Sequence, residues 1–213
     1  MTLFLPKPVT LEQQQLCWGL AEKIPQLDDI KAWIKETVVG MNTLSVYTQD
    51  LTARQLLQLQ YFLQTISHDS QFIKKIDGRH IEIPVRYGGE YGPDLLDLAQ
   101  QKNMTVRELV ERHTAPIYTV YFMGFQPGFP YLGGLSPELY SPRHAVPRLQ
   151  VPAGSVGIGG EQTGIYPFAS PGGWQLLGRT ELPLFNLKNE QPTLLQAGDT
   201  LSFVAIDVIE ERL

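Results

Sequence analysis

Gly124-Phe-Gln-Pro-Gly-Phe-Pro-Tyr-Leu-Gly-Gly134 and Val151-Pro-Ala-Gly-Ser-Val-Gly-Ile-Gly-Gly160 set the reading of this chain. Both lie between Gly124 and Gly178, a window holding 12 of the 19 glycines and 8 of the 16 prolines. Only Glu138, Arg143, Arg148 and Glu161 are charged there. A Gly/Pro-rich linker is polar, whereas this window carries Phe125, Phe129, Tyr131, Tyr140, Tyr166, Phe168 and Trp174. Turn formers alternating with large apolar residues predict short strands joined by tight turns.

Outward from the window the pattern changes. Thr10-Leu-Glu-Gln13, Thr52-Ala-Arg-Gln55 and Thr105-Val-Arg-Glu108 are capping-box sequences that start helices. Leu16, Leu20 and Ile24 continue the first helix until Pro25; Leu56, Leu59, Leu63 and Ile66 continue the second. Pro93-Asp94 opens a short helix to about Lys102, and the third box leads one to about Thr114, so a helix pair precedes the window. Strands are expected at Ile30–Val38, Leu44–Thr48, Ile81–Tyr87, Tyr118–Gly124, Leu182–Phe185, Thr193–Leu195 and Thr200–Ile206. The first half then reads as strand, helix, strand, strand, helix, strand, a split-βαβ, ferredoxin-like α/β domain over 1–85. A β-rich barrel or sandwich domain follows over 86–213, giving an α+β protein.

Across 213 residues, 17 Lys+Arg stand against 22 Asp+Glu, a net charge of −5. Nucleic-acid backbones call for a positive surplus, so nucleic acid is not an expected partner. Cys17 is the lone cysteine, which excludes an intramolecular disulfide and a thiolate zinc site. The start of the chain lacks the charged and apolar regions of a signal peptide, and no apolar run is long enough for a membrane span. A soluble, cytoplasmic protein is expected, with no membrane partner.

Three catalytic readings of Pro152–Gly160 fail. A P-loop needs a Lys that is missing, a dinucleotide loop needs a following helix, and a nucleophile elbow needs Gly where Ala153 stands. Glycines serving tight turns and close backbone approach are the favoured reading. His68, His80, His113 and His144 form no zinc motif, so no metal is expected. Arg143 and Arg148, isolated in an uncharged window, need a carboxylate, a phosphate or a partner to face.

The run Phe122-Met-Gly-Phe-Gln-Pro-Gly-Phe-Pro-Tyr-Leu-Gly-Gly-Leu135 resembles the signature of the allophanate hydrolase subunit 1 family. Pro142-Arg143, Val151–Gly160, Gln162–Pro167, Ser170–Thr180 and the Gly40-Met-Asn42 turn are similar to it too. The family includes subunits of 5-oxoprolinase, KipI-type inhibitors of a sensor histidine kinase, and part of the urea carboxylase carboxyltransferase region. Its members carry a further strand ahead of Pro8-Val-Thr10, and Met1 falls at what resembles the end of that strand.

The resemblance implies a cyclophilin-like β-barrel for the second domain. It also implies ATP-dependent opening of the 5-oxoproline lactam to L-glutamate, with this chain as the B subunit of a 5-oxoprolinase. The implied partners are the C subunit, bound tightly, together with the A subunit, bound more loosely. A kinase inhibitor or a urea-carboxylase-related subunit is the alternative, and a chain that works within such a complex is expected to be inactive alone. Within the signature, His113, Gln126, Arg143, Arg148, Ser155, Gln162, Thr163 and Tyr166 are expected to line one surface. Arg143 or Arg148 would hold a substrate carboxylate or phosphoryl group, and His113 would carry a proton.

Overall fold

Threonine caps open the helices as their spacing predicts. In the computed structural model, which describes residues 1–211, Thr10, Thr52 and Thr105 each accept from the backbone N–H three residues on. Gln13, Gln55 and Glu108 reciprocate. Each such cap contributes about 1 kcal/mol. The chain divides into two units, Met1–Ile76 and a second starting at Asp77.

The first unit contains β1 (Thr2–Phe4), α1 (Leu11–Lys23), β2 (Ile34–Gly40), β3 (Thr43–Thr48) and α2 (Ala53–Ile66). Its sheet is antiparallel in the order β1-β3-β2. The helical stripes Leu16, Leu20, Ile24 and Leu59, Leu63, Ile66 pack on Leu44 and Val46 of β3, and Cys17 lies inside that core. The strand expected from Ile30 starts at Ile34, because Lys31–Trp33 form a 3-10 turn. Asn42 turns the β2–β3 hairpin at φ +53, and its amide nitrogen donates to Leu5 O and Pro6 O.

The second unit begins with β4 (His80–Gly88), α3 (Leu95–Gln101), α4 (Val106–Thr114) and β5 (Tyr118–Met123). Then come β6 (Pro130–Gly133), β7 (Arg148–Val151), β8 (Ser155–Gly159), β9 (Gln162–Ile165), β10 (Ser170–Gly172), β11 (Gln175–Arg179) and β12 (Thr200–Ile209). Seven strands close a barrel in the order β11-β4-β12-β5-β6-β9-β8, and β7 pairs with β10 as a separate ribbon. The β4–β12 pair is parallel and runs from His80↔Thr200 to Gly88↔Ile209; the remaining barrel pairs are antiparallel.

Two expectations are corrected. The strand at 80–88 does not complete a fourth position in the N-terminal sheet, which has three strands among the described residues. β4 is a barrel stave because β11 and β12 pair with its two edges and the main core buries Ile83, Val85 and Tyr87. The strands expected at 182–185 and 193–195 are absent as ladders; Phe185↔Thr193 is an isolated bridge. Pro183 and Pro192 lack amide donors, while Leu184 and Leu195 are apolar because they fill the core.

Candidate functional site

The eight residues expected on one surface separate into layers, because strand side chains alternate between faces. On β8, Val156 and Ile158 enter the main core, while Gly157 and Gly159 present the other face. On β9, Thr163 and Ile165 face the core and Gly164 the opposite way.

His113 belongs to the inner layer. It is 0 % exposed and sits among side chains of β4, β5, β9 and β12. Its ring stacks on Phe203 at 4.7 Å between centroids. The Thr163 hydroxyl donates to Gly157 O at 3.0 Å, so it accepts from His113 Nε2–H at 2.9 Å. Nδ1 is left to accept from the Tyr87 hydroxyl at 2.9 Å. This is a neutral imidazole with both nitrogens satisfied. Burial pushes its pKa down to about 3. His113 and Thr163 are therefore core residues, and the expected proton carrier is corrected: neither ring nitrogen is open to a substrate.

The outer face holds a different cluster. Phe129, Tyr166, Trp174, Leu176 and Val151 pack together with Tyr131 beside them. The Trp174 indole lies flat against a pavement of glycines: a Cβ on Gly159 would fall 2.5 Å from its Nε1, and one on Gly164 3.1 Å from Cζ3. Gly157 is likewise closed by the Trp174 Cβ and Gln175 O. Phe129 meets Trp174, Tyr166 and Phe125 edge to face. Phe125 is 61 % exposed and takes a left-handed backbone, φ +62, which is a strained conformation for a bulky residue. The window's glycines and aromatics thus serve each other.

Over this cluster runs the segment bearing the basic residues. The Arg143 guanidinium stands 5.6 Å from the Trp174 ring centroid. It is exposed, and among the described residues it faces no carboxylate. Its charge works against the burial that raises the Tyr131 and Tyr166 phenols, and the charge of Arg148 also reaches Tyr166. Arg148 is pinned: its Nη2 donates to Asp94 Oδ1 at 2.5 Å, while its Nη1 is buried without a partner. His144 Nε2 lies 3.3 Å from Asp94 Oδ2, within ion-pair reach but off the hydrogen-bonding direction. A planar guanidinium without a carboxylate partner has the donor geometry that suits an oxyanion.

The other expected residues have local roles. Ser155 is buried on β8, with its backbone bonded to Pro152 and Tyr166. Gln126 closes the turn before Phe129 and Gln162 opens β9; each keeps one buried amide atom without a partner. Of the eight, Arg143, Arg148 and Tyr166 come together. Asp94 was missed because the sequence offers it as a helix start. The signal was Arg148 itself, a cation needing a carboxylate that its own window does not supply.

The backbone of Gly154–Gly160 offers no anion cradle. Gly154 N donates to Tyr166 O, Ser155 N to Pro152 O and Gly160 N to Ser141 O, and Val156–Gly159 lie in the barrel ladder. Among the described residues no cluster of His, Cys, Asp or Glu is arranged to hold a metal ion, and no helix is long and apolar enough to cross a membrane.

Residues 1–195 match the family model "Carboxyltransferase domain, subdomain C and D". The chain is 50 % identical over 205 residues to the B subunit of 5-oxoprolinase from Haemophilus influenzae, covering 94 % of this chain and 91 % of that protein. It is 45 % identical over 204 residues to the protein of the same name from Escherichia coli O157:H7, covering 96 % and 91 %. The crystal structure of TTHA0988 superposes with a TM-score of 0.74 at 31 % identity, covering 99 % of this chain but 40 % of that longer one.

Proposed function

Because the chain belongs to the carboxyltransferase domain, subdomain C and D, family, we propose that it acts as the B subunit of a 5-oxoprolinase. The observation that carries the reading is Arg143, stacked over Trp174 with no carboxylate partner among the described residues, in a chain half identical to a protein of that name. 5-Oxoproline is a five-membered lactam carrying one carboxylate. Arg143 receives that carboxylate through paired N–H donors, and Tyr131 and Tyr166 border the ring.

Amide resonance protects the lactam carbonyl, so opening it calls for activation. Transfer of the ATP γ-phosphoryl group to its oxygen, with ADP released, makes the carbonyl carbon electrophilic; water adds there, the ring C–N bond breaks to free the amine, and a second water releases phosphate from the resulting acyl phosphate to give L-glutamate. The nucleotide is handled by the partner proteins, a placement supported by Gly154–Gly160, whose amides are already engaged by this chain. This chain contributes the carboxylate receptor and is inactive alone. Of its partners the C subunit is the tighter, the A subunit the looser.

Mixing the chain with the A and C subunits, ATP and 5-oxoproline should form glutamate, and omitting this chain should abolish it. Arg143→Ala should lower turnover at sub-saturating 5-oxoproline at least about tenfold, equivalent to about 1.4 kcal/mol, with the complex still assembled. Equal glutamate formation without this chain would overturn the proposal.

A further inference from the structure

Asp94 is placed where a short polar residue ordinarily caps a helix, yet its side chain makes no cap bond to α3. The carboxylate is turned away to join three segments. Oδ2 accepts from Leu176 N at 2.7 Å, Oδ1 from Arg148 Nη2 at 2.5 Å, and His144 Nε2 stands 3.3 Å away. The carboxylate side chain is 10 % exposed, so these partners hold it in a poorly solvated place where ion pairing is strong.

What hangs from it is the segment 143–148. Arg143, Ala145, Val146 and Pro147 are exposed, so the segment has little apolar burial of its own. Its anchors are few: His144 N donating to Gly173 O at 2.7 Å, the Arg143–Trp174 stack, the contacts of His144 and Arg148 to Asp94, and at its end the pairing of Arg148 with Gly172. A stretch with so few buried contacts moves unless it is tied.

We propose that Asp94 is the positioning residue of the outer face: it ties Arg148, and with it the segment 143–148, and thereby fixes Arg143 over Trp174. It touches no substrate itself. The proposal rests on the assignment of Arg143 as the carboxylate receptor, because the position of Arg143 is what Asp94 controls. Asp94→Asn is the direct probe. The amide oxygen can still accept from Leu176 N, while the charge that holds Arg148 is gone.

In the reconstituted three-protein complex, D94N should raise KM for 5-oxoproline at least tenfold while kcat stays within about threefold of wild type. Hydrogen exchange should quicken in peptides covering 142–150 and stay unchanged in β4 and β12. Glu138→Gln removes an equally charged group from an exposed pair with Arg112 and should change neither readout. If D94N does not fold, Arg148→Gln breaks the same tie without touching α3 and should quicken the same exchange. Unchanged exchange in 142–150 overturns the proposal, and so does faster exchange with an unchanged KM. A wild-type complex that forms no glutamate overturns the substrate reading instead, and exchange in this chain then decides the role of Asp94.

Discussion

His113→Gln separates a buried imidazole from a catalytic one. In the folded chain the ring is held neutral down to about pH 3, whereas in the unfolded chain it titrates near 6.5. Between those values the unfolded state binds a proton that the native state refuses. The contribution is complete above pH 6.5 and is lost progressively as pH falls toward 3. Linkage gives a loss of about 2 kcal/mol at pH 5 and about 5 kcal/mol below pH 3. That is a large share of the ~5–15 kcal/mol that holds a typical protein folded. Glutamine offers one donor for Thr163 and one acceptor for Tyr87, replacing the two bonds at 2.9 Å. The variant should therefore fold at neutral pH and lack this acid sensitivity. Urea unfolding of both proteins from pH 7.5 to 4.5, with the difference taken at each pH, cancels every other titrating group. Parallel profiles would refute the argument. So would a folded variant without turnover, since no ring nitrogen is open to a substrate.

Gly159→Ala would place a methyl group 2.5 Å from Trp174 Nε1; the indole must shift, at about 1–3 kcal/mol by urea unfolding, and unchanged stability would show that Trp174 is loosely seated. Cys17 is fully buried, and burial raises its thiol to about 12; a thiol reagent at pH 8 should modify it only in denaturant, and rapid modification of the native chain would contradict its placement.

Helix starts were legible because a capping box is local: Thr10, Thr52 and Thr105 act within three residues of themselves. Strand existence was legible at 80–88, but strand partnership was not. Period-two alternation marks a half-buried strand without naming the sheet that buries it, and the partner of β4 lies 120 residues away. At 182–195 the apolar residues fill the core without a ladder, and prolines were the local clue that pairing would fail.

The environment of each candidate residue was only partly legible. Arg143 stood out as a charge in an uncharged window, and the structure leaves it unpaired. Arg148 stood out equally and proved to be tied to Asp94. His113 was misread because a histidine ending a helix looks the same in sequence whether its ring meets solvent or, as here, Phe203 and Thr163.

The parallel seam between β4 and β12 sets the order in which the molecule can be made. Most of the second unit must be synthesised before β4 meets its first neighbour, β11, and nearly all of it before β12 completes the seam. Closing a loop of that size costs about 4 kcal/mol of chain entropy before any contact offsets it. On the ribosome the β2–β3 hairpin can pair as soon as residue 48 is free, while β4 waits as an unpaired apolar strand until β11, ending at Arg179, emerges, and for its long parallel edge until β12 does. Between those moments Ile83, Val85 and Tyr87 lack their native cover, which makes the unfinished barrel the species most in need of chaperone protection during synthesis.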